Sequence, residues 1–539
     1  MRRVRGSDAA RKLLVHGGLR PHDPRRPPGR AREGRGAGGQ PVPDARSDRP
    51  HRRRLPLEPD GRRLRQGGAG APAGHRGGAA RAHRGGARRG RRARWLRVIE
   101  RLLERASRRA DGGADALWRQ VERTSVAFEW GRLKAAGVSE EAGVNLRVRH
   151  RGRVGVAGTT AVDASPDDVL TRALASAELG EELALAFPAP ASAPPVATFF
   201  QPVADASLDR LMAMGRSLLE QLEREGCRVN VTIEREIAET RVANSAGATG
   251  AYRSTAIGVS AELWRIAGDD VLAIGDVFEA ADLPGDDALG ALVQSVNLRL
   301  EHALRVVAPP DGALPVVFTP AGLSALLLPV TQALSGKAVL QGISPLAARV
   351  GELVFDSRFS LTDDPLRAGR AASRPLDDEC VPSGTTCLVQ RGVVERFIYD
   401  LETAARARTQ STGHGQRTIF GKPVPGYTNI VLGEGGREKG EGGDALGGGL
   451  LRDVRDGLLV DELIGVGQGN VIGGAFSHPV ALAYRVERGA ISGRVKDAAI
   501  AGNAYDLWKR VGGFGADARW TGARYTPSVL LDGVSVARR

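Results

Sequence analysis

From Val316 to Pro365 the chain reads VVFTPAGLSALLLPVTQALSGKAVLQGISPLAARVGELVFDSRFSLTDDP. The β-branched and aromatic run over 314–318 predicts a strand. Thr319 is a good N-cap residue and Pro320 suits the first helical position, so a helix is expected from there through Leu334. Beyond that helix the chain reads mostly as β. The runs 386–390 and 393–399 flank Arg391-Gly392, and 480–486 and 490–495 flank 487–489, which predicts two hairpins. Between them, 433–449 (GEGGREKGEGGDALGGG) is a low-complexity polar stretch and is expected to be a mobile loop. Residues 312–539 are therefore expected to form a β-dominated C-terminal domain.

Toward the N-terminus, two smaller α/β units with antiparallel strands are expected, over 200–308 and 96–186. In the first of these, Leu208, Leu211, Leu218, Leu219 and Leu222 stripe a helix over 207–225, and Val229, Val231 and Ile233 alternate along a strand. Asn244 and Gly247 favour a turn with positive φ. In the other, Leu96, Ile99, Leu102 and Leu103 mark an amphipathic helix, and strands are expected over 125–130, 143–150 and 154–157. A helix comes next, with Ser165 as N-cap, Pro166 at its first position and Asp167 and Asp168 beside its positive dipole end. The Pro/Ala-rich stretch 187–198 reads as a linker. The fold class is α+β, and the full organisation is a tail over 1–95, units over 96–186 and 200–308, and the domain 312–539.

The formal charge of +15 suggests a nucleic-acid partner until it is located. Residues 1–95 hold 27 Lys+Arg against 7 Asp+Glu, whereas the rest of the chain holds 50 against 55. The body is mildly acidic, so a nucleic-acid partner is not expected. The tail has too little apolar surface to offset the entropy of ordering it and is expected to be disordered. Its Arg/Gly/Pro/Ala mixture, with Lys12 the one lysine, is what GC-rich codons give when read out of frame; the folded protein is expected to start near Leu96 or Val98. No run approaches the roughly 20 apolar residues of a membrane span, and no apolar segment with a cleavage site marks a secretory signal. Three cysteines, Cys227, Cys380 and Cys387, do not make a disulfide framework, and a cytoplasmic location is expected.

The quoted stretch continues through SRPLDDECVPSGTTCLVQRGVVERFIYDLETAARARTQSTGHGQR (373–417) to PVPGYTNIVL (423–432). Together these motifs, in this order, resemble the C-terminal domain of the TldD/PmbA family, and the similarity extends over roughly 123–536. Catalytic members of that family carry HExxxH on the first helix of this domain. Anchored on Leu334 and Gly336, the motif falls on Leu327, Leu328 and Gln332. The C-terminal region RWTGARYTPSVLL, from Arg519, also lacks the cysteine that completes the ligand set. The resemblance therefore implies the non-catalytic, PmbA/TldE-like subunit: no cofactor on this chain, and zinc on a partner.

The residue types themselves point the same way. Zinc sites need converging His, Cys or carboxylate ligands. Outside the tail the histidines are His150, His302, His414 and His478, and no two are close enough to share a helix face. No GxSxG elbow is present. Asp377, Asp378 and Glu379 read as a solvated turn, or, on the family motif, as shapers of the cleft. Cys380 occupies a position where the family usually has Gly and reads as a buried or loop thiol that is hard to ionise. Ser411, Thr412 and Gly413 match the family's STGN segment and are candidates for holding a peptide main chain, with His414 an exposed loop residue. Asn429 is expected at a strand end, satisfying backbone groups. The loop Gly465-Val466-Gly467-Gln468-Gly469 lacks the context of a dinucleotide site and reads as a β-turn.

The expected function is thus the PmbA/TldE-like subunit of a two-component metallopeptidase, partnered with a TldD-like catalytic chain or with itself, and acting on extended peptides in proteolysis or in maturation of peptide antibiotics. A stand-alone peptide-binding protein and an independent hydrolase with unrecognised residues are the alternatives.

Overall fold

The computed structural model describes residues 98–161, 164–433 and 446–539. The tail and most of the 433–449 loop lie outside them, and the expectations placed there are not addressed by it. A helix over 98–109 (α1) buries Ile99, Leu102 and Ala106. Strands β1 (Ala114–Glu129), β2 (Arg132–His150), β3 (Arg153–Thr159), β4 (Cys227–Asn244), β5 (Thr249–Ala267) and β6 (Asp270–Ala280) form an antiparallel sheet in the order β3-β2-β1-β4-β5-β6.

This sheet corrects the division drawn from sequence. β1 pairs with β4 from Asp115↔Asn244 to Phe128↔Val231, so the units expected over 96–186 and 200–308 share one sheet. β1 and β2 also run far beyond the expected 125–130 and 143–150, turning at Trp130-Gly131. The added start of β1 buries Ala114, Ala116 and Trp118 in a cluster with Val144, Leu146 and Val148, whereas 132–141 of β2 are exposed and are held by cross-strand hydrogen bonding.

Helices cover the sheet as their caps and stripes require. α2 (Pro166–Glu178) starts where Ser165 Oγ accepts the Asp167 amide at 3.2 Å, and buries Val169, Leu170, Ala173 and Ala177. After the short α3 (Gln201–Asp205), α4 (Leu208–Leu222) is capped by Ser207 and packs Leu211, Leu218 and Leu222 in one cluster with Val126, Phe128, Val231 and Ile233. Gly215 permits this approach: a Cβ there would stand 2.4 Å from the Phe128 ring. α5 (Asp286–Ala303) adds Leu292, Val296 and Leu300 to the same cluster, which continues onto Leu459, Leu482 and Tyr484 of the C-terminal domain.

After β7 (Val306–Val307), β8 (Gly312–Phe318) enters a mixed sheet beside Asp456–Leu463 and Val529–Arg538, followed by Ala498–Asn503, Ala475–Glu487 and Ala490–Val495. Asp456–Leu463 also pairs with Ala475–Glu487, so five of these strands close on themselves. A smaller sheet includes Leu361–Asp363, Thr386–Gln390, Ile430–Leu432 and Arg524–Thr526. The architecture is α+β with a β-rich C-terminal region.

Two local expectations shift. The helix α6 runs over Ser324–Ala333 rather than from Pro320. Thr319 Oγ1 is committed to Asp461 at 2.7 Å, its amide donates to the Val460 carbonyl, and the Gly322 amide reaches Thr319 Oγ1; the segment is a turn tied to the neighbouring strand. Of the expected 393–399 strand only Val393–Val394 pairs as such, because Ile398 leaves the ladder to donate to the Leu334 carbonyl beyond α6.

Candidate functional site

The α6 helix forms one wall of a cleft of about 290 Å³. Its sequence places hydrocarbon on several faces. Leu326, Leu327, Val330 and Ala333 pack into the C-terminal core, while Ala325, Leu328 and Pro329 line the cleft. Pro329 has no amide to donate to the preceding turn, and side chains serve the helix carbonyls: Trp508 Nε1 donates to Leu326 at 3.1 Å, Tyr505 OH to Pro329 at 3.1 Å and Tyr427 OH to Thr331 at 2.6 Å.

The other walls are the glycine loop and the start of Ala475–Glu487. Gly465, Gly467 and Gly469 all have positive φ, and Gly467 lies against Leu328. The loop read from sequence as a simple β-turn therefore contributes lining through Gly465 to Gln468. Phe476 and His478 stack with ring planes 12° apart and centroids at 5.7 Å, both in the lining. Removal from water holds the imidazole below its ordinary pKa, so His478 presents a neutral ring to a cleft that Gln468 and Ser477 also line. No role was expected of His478 from sequence; its alternation along a strand is the faint signal that faced it inward.

The three positions where the family resemblance puts metal ligands do not fit a divalent ion. Leu327 is buried in the core, Leu328 offers hydrocarbon to the cleft, and Gln332 is exposed. Among the described residues no group of three or more His, Cys, Asp or Glu side chains converges as a metal site.

The acidic triplet lies elsewhere and is dry, which corrects the solvated-turn reading. Asp377, Asp378 and Glu379 are all buried. Asp377 accepts the amides of Glu379, Val381 and Gly415, each at 2.9 Å. Asp378 accepts Arg119 at 2.7 Å and the Arg417 amide at 2.9 Å. Glu379 meets Arg147 of β2 at 2.5 Å and accepts the Leu401 amide at 2.8 Å. Arg147 also forks onto Asp115, which Arg417 reaches at 2.9 Å. Burial raises the carboxyl of Glu379 to about 8 although Arg147 pulls the other way. For Asp115 the two flanking guanidiniums prevail over burial, and its pKa is lowered.

Cys380 explains its own oddity: its φ is +66°, the left-handed region in which glycine is at ease. Burial pushes its thiol up to about 12, so it is no nucleophile. His414 is likewise interior rather than exposed. Its Nε2 lies 3.0 Å from Asp363, whose carboxylate also accepts the Thr428 amide and hydroxyl at 2.7 Å. The hydroxyls of Ser411 and Thr412 both donate to the Tyr399 carbonyl, and Thr412 accepts the Tyr399 amide, so they serve this chain's own backbone. Gly413, with φ +73°, packs on the Pro382 carbonyl. Asn429 is buried and donates to the Asp364 carbonyl and to Ser373. The triplet and the 411–413 segment thus come together around Gly415, away from the residues that line the α6 cleft. Arg147 was not visible as a site residue because alternation on a strand with Val144, Leu146 and Val148 looks like an ordinary wet face, and nothing local to Asp115, Arg119 or Arg417 marked them either.

Residues 311–538 match the model described as the PmbA/TldA metallopeptidase C-terminal domain, and 114–177 match that of PmbA/TldA metallopeptidase domain 1. The chain is similar to a metalloprotease of Methanothermobacter thermautotrophicus, at 28% identity over 45% of this chain and 51% of that protein. It is similar to the metalloprotease TldD homolog of Haemophilus influenzae, at 28% identity over 39% of this chain and 42% of that one. The chain thus spans about half the length of the curated relatives it matches. The crystal structure of TldE from Thermococcus kodakarensis shares the fold, with a TM-score of 0.71 and 23% identity, over 82% of this chain and all of that one.

Proposed function

The chain belongs to the PmbA/TldD metallopeptidase family, and from that premise we propose that it is the non-catalytic, TldE-like subunit of a two-component peptidase. In this reading zinc and the water it activates belong to a TldD-like partner, and this chain completes the chamber in which an extended peptide lies. A homodimeric arrangement of the same chamber is the variant without that partner. The reading extends to a cytoplasmic location, which the three free thiols support.

One observation carries the proposal: the helix positions where catalytic relatives place HExxxH hold a core leucine, a cleft-lining leucine and an exposed amide in place of two imidazoles and a carboxylate. Neither hydrocarbon nor amide is among the Cys, His and carboxylate ligands zinc takes, and neither takes a proton from water. What remains beside Leu328 is a cleft of mixed lining, with apolar Leu328, Ile464 and Phe476 beside His478, Ser477 and a glycine loop, suited to a side chain of an extended segment. The buried triplet shapes this subunit from within rather than touching substrate.

The test is to purify the chain alone and together with a TldD-like partner, then measure zinc content and cleavage of an unfolded peptide. Zinc and chelator-sensitive cleavage are expected only with the partner. Stoichiometric zinc and chelator-sensitive turnover in the lone chain would overturn the proposal.

A further inference from the structure

We propose that one face of the hairpin formed by Arg519–Thr521 and Arg524–Thr526 is a carboxylate-binding site, with the Arg524 guanidinium as its cation and the hydroxyls of Thr521 and Thr526 as its neutral donors. The proposal rests on reading this chain as a peptide-holding subunit, and it names the group of the peptide that is gripped. The two strands pair antiparallel, with Thr521 opposite Arg524 and Arg519 opposite Thr526, so these four side chains share one face. Trp520 and Tyr525 take the other face, their ring centroids 5.3 Å apart.

Arg524 differs from the other arginines set into the fold. Arg147 and Arg299 are buried, and each meets two carboxylates. Arg524 is part-buried, yet among the described residues no acid pairs with its guanidinium, and removal from water alone acts on it, pushing its pKa below the ordinary range. The acids around it are engaged elsewhere. Asp276 accepts Arg519 at 2.7 Å. Asp363, beyond Ile430 in the same row of the sheet, serves His414 and Thr428. Glu279, beside Gly522 of the turn, feels Arg370. Thr521 Oγ1 and Thr526 Oγ1 are shut off from solvent and meet no partner among the described residues. A buried hydroxyl without a partner is costly, and two of them beside an unpaired cation call for an acceptor.

Charge selects that acceptor. Arg519 is neutralised by Asp276, so one positive charge is left on this face, which suits a monoanion better than a phosphate carrying about two charges. A guanidinium edge meets the two oxygens of a carboxylate in parallel hydrogen bonds, and a hydroxyl can donate to each remaining lone pair. In a peptide, that carboxylate is the C-terminus or the side chain of Asp or Glu.

Fluorescence anisotropy of the full chain tests this with three labelled forms of one unfolded peptide that lacks Asp and Glu: the free acid, the C-terminal amide, and the amide with one internal Glu added. At least one carboxylate form is expected to bind roughly tenfold more tightly than the plain amide. The free acid doing so assigns the site to a peptide C-terminus, and the Glu form to an acidic side chain. Arg524→Gln should abolish the difference and leave the affinity for the amide unchanged. Arg524→Lys should keep only part of it, because an ammonium cannot fork, and Thr526→Val should narrow it. Arg524→Gln should not lower the melting temperature, as loss of a merely structural arginine would. Equal binding of all three peptides, or a preference that Arg524→Gln leaves intact, overturns this inference and leaves the subunit reading standing. No binding of any of the three overturns both.

Discussion

Arg147 and Glu379, 232 residues apart in the chain, meet at 2.5 Å with both side chains shut off from solvent. The contact joins a hairpin of the N-terminal sheet to a loop of the C-terminal domain, and Asp115 and Arg417 extend it on the same side. Removing one partner of such a pair strands the other in a dry site, which is costlier than the pair's net worth. Arg147→Met is therefore expected to cost about 3–5 kcal/mol in urea unfolding. Adding Glu379→Gln to it should recover part of the loss.

The raised carboxyl of Glu379 makes stability depend on pH. Its pKa is about 8 in the folded chain against the ordinary 4.5, so the folded state holds a proton that the unfolded chain has released. This contribution is complete below pH 4.5 and is lost as pH rises through 8. Thermal melts from pH 5 to 9 should show the parent losing stability relative to Glu379→Gln until about pH 8 and running parallel to it above. A constant difference across the range would refute the assignment.

Gly158 lies where β3 meets the 417–421 segment, and a Cβ there would stand 1.8 Å from the Ile419 carbonyl oxygen. Backbone cannot rotate away as a side chain can. Gly158→Ala is expected to destabilise by about 1–3 kcal/mol, whereas Gly137→Ala, in open space, should leave the melting temperature nearly unchanged.

Leu327 and Leu328 are neighbours with different fates. Leu327→Ala should cost about 2–5 kcal/mol because it empties part of the packed core. Leu328→Ala should cost much less and should instead weaken binding of an unfolded peptide, measured by fluorescence anisotropy, because Leu328 lines the cleft.

The thiols should react in a definite order. Cys380 is buried and pushed up to about 12, while Cys227 and Cys387 are only part-buried. Native alkylation at pH 8 and subsequent mass spectrometry should show those two labelled well before Cys380. Early labelling of Cys380 would show that its loop opens.

Much of the architecture was legible in residue order. Ser165 caps its helix where its position announced it, and Leu211, Leu218 and Leu222 bury as their spacing required, although Ser207, read as the first helical residue, proves to be the cap. A cap or a stripe is a relation among residues a turn or two apart, and sequence displays it directly. Thr319 does accept the Gly322 amide as a cap would, but its hydroxyl also donates to Asp461, 142 residues away, and the segment it opens is a turn, with the regular helix starting only at Ser324. The long arms of β1 and β2 were missed because their pairing uses backbone groups that every residue carries.

The sequence alone determined what atoms stand at each position: hydrocarbon at 327 and 328, an amide at 332, no close pair of imidazoles, and a residue with a Cβ where φ must be positive. Only the tertiary structure decided which of these meet water. Asp377, Asp378 and Glu379 read as a wet turn until Arg119 and Arg147 arrive from elsewhere to pair with Asp378 and Glu379, and His414 reads as exposed until Asp363 meets it. Burial of charge is set by partners that folding brings together across hundreds of residues, and no local pattern of residues records who those partners are.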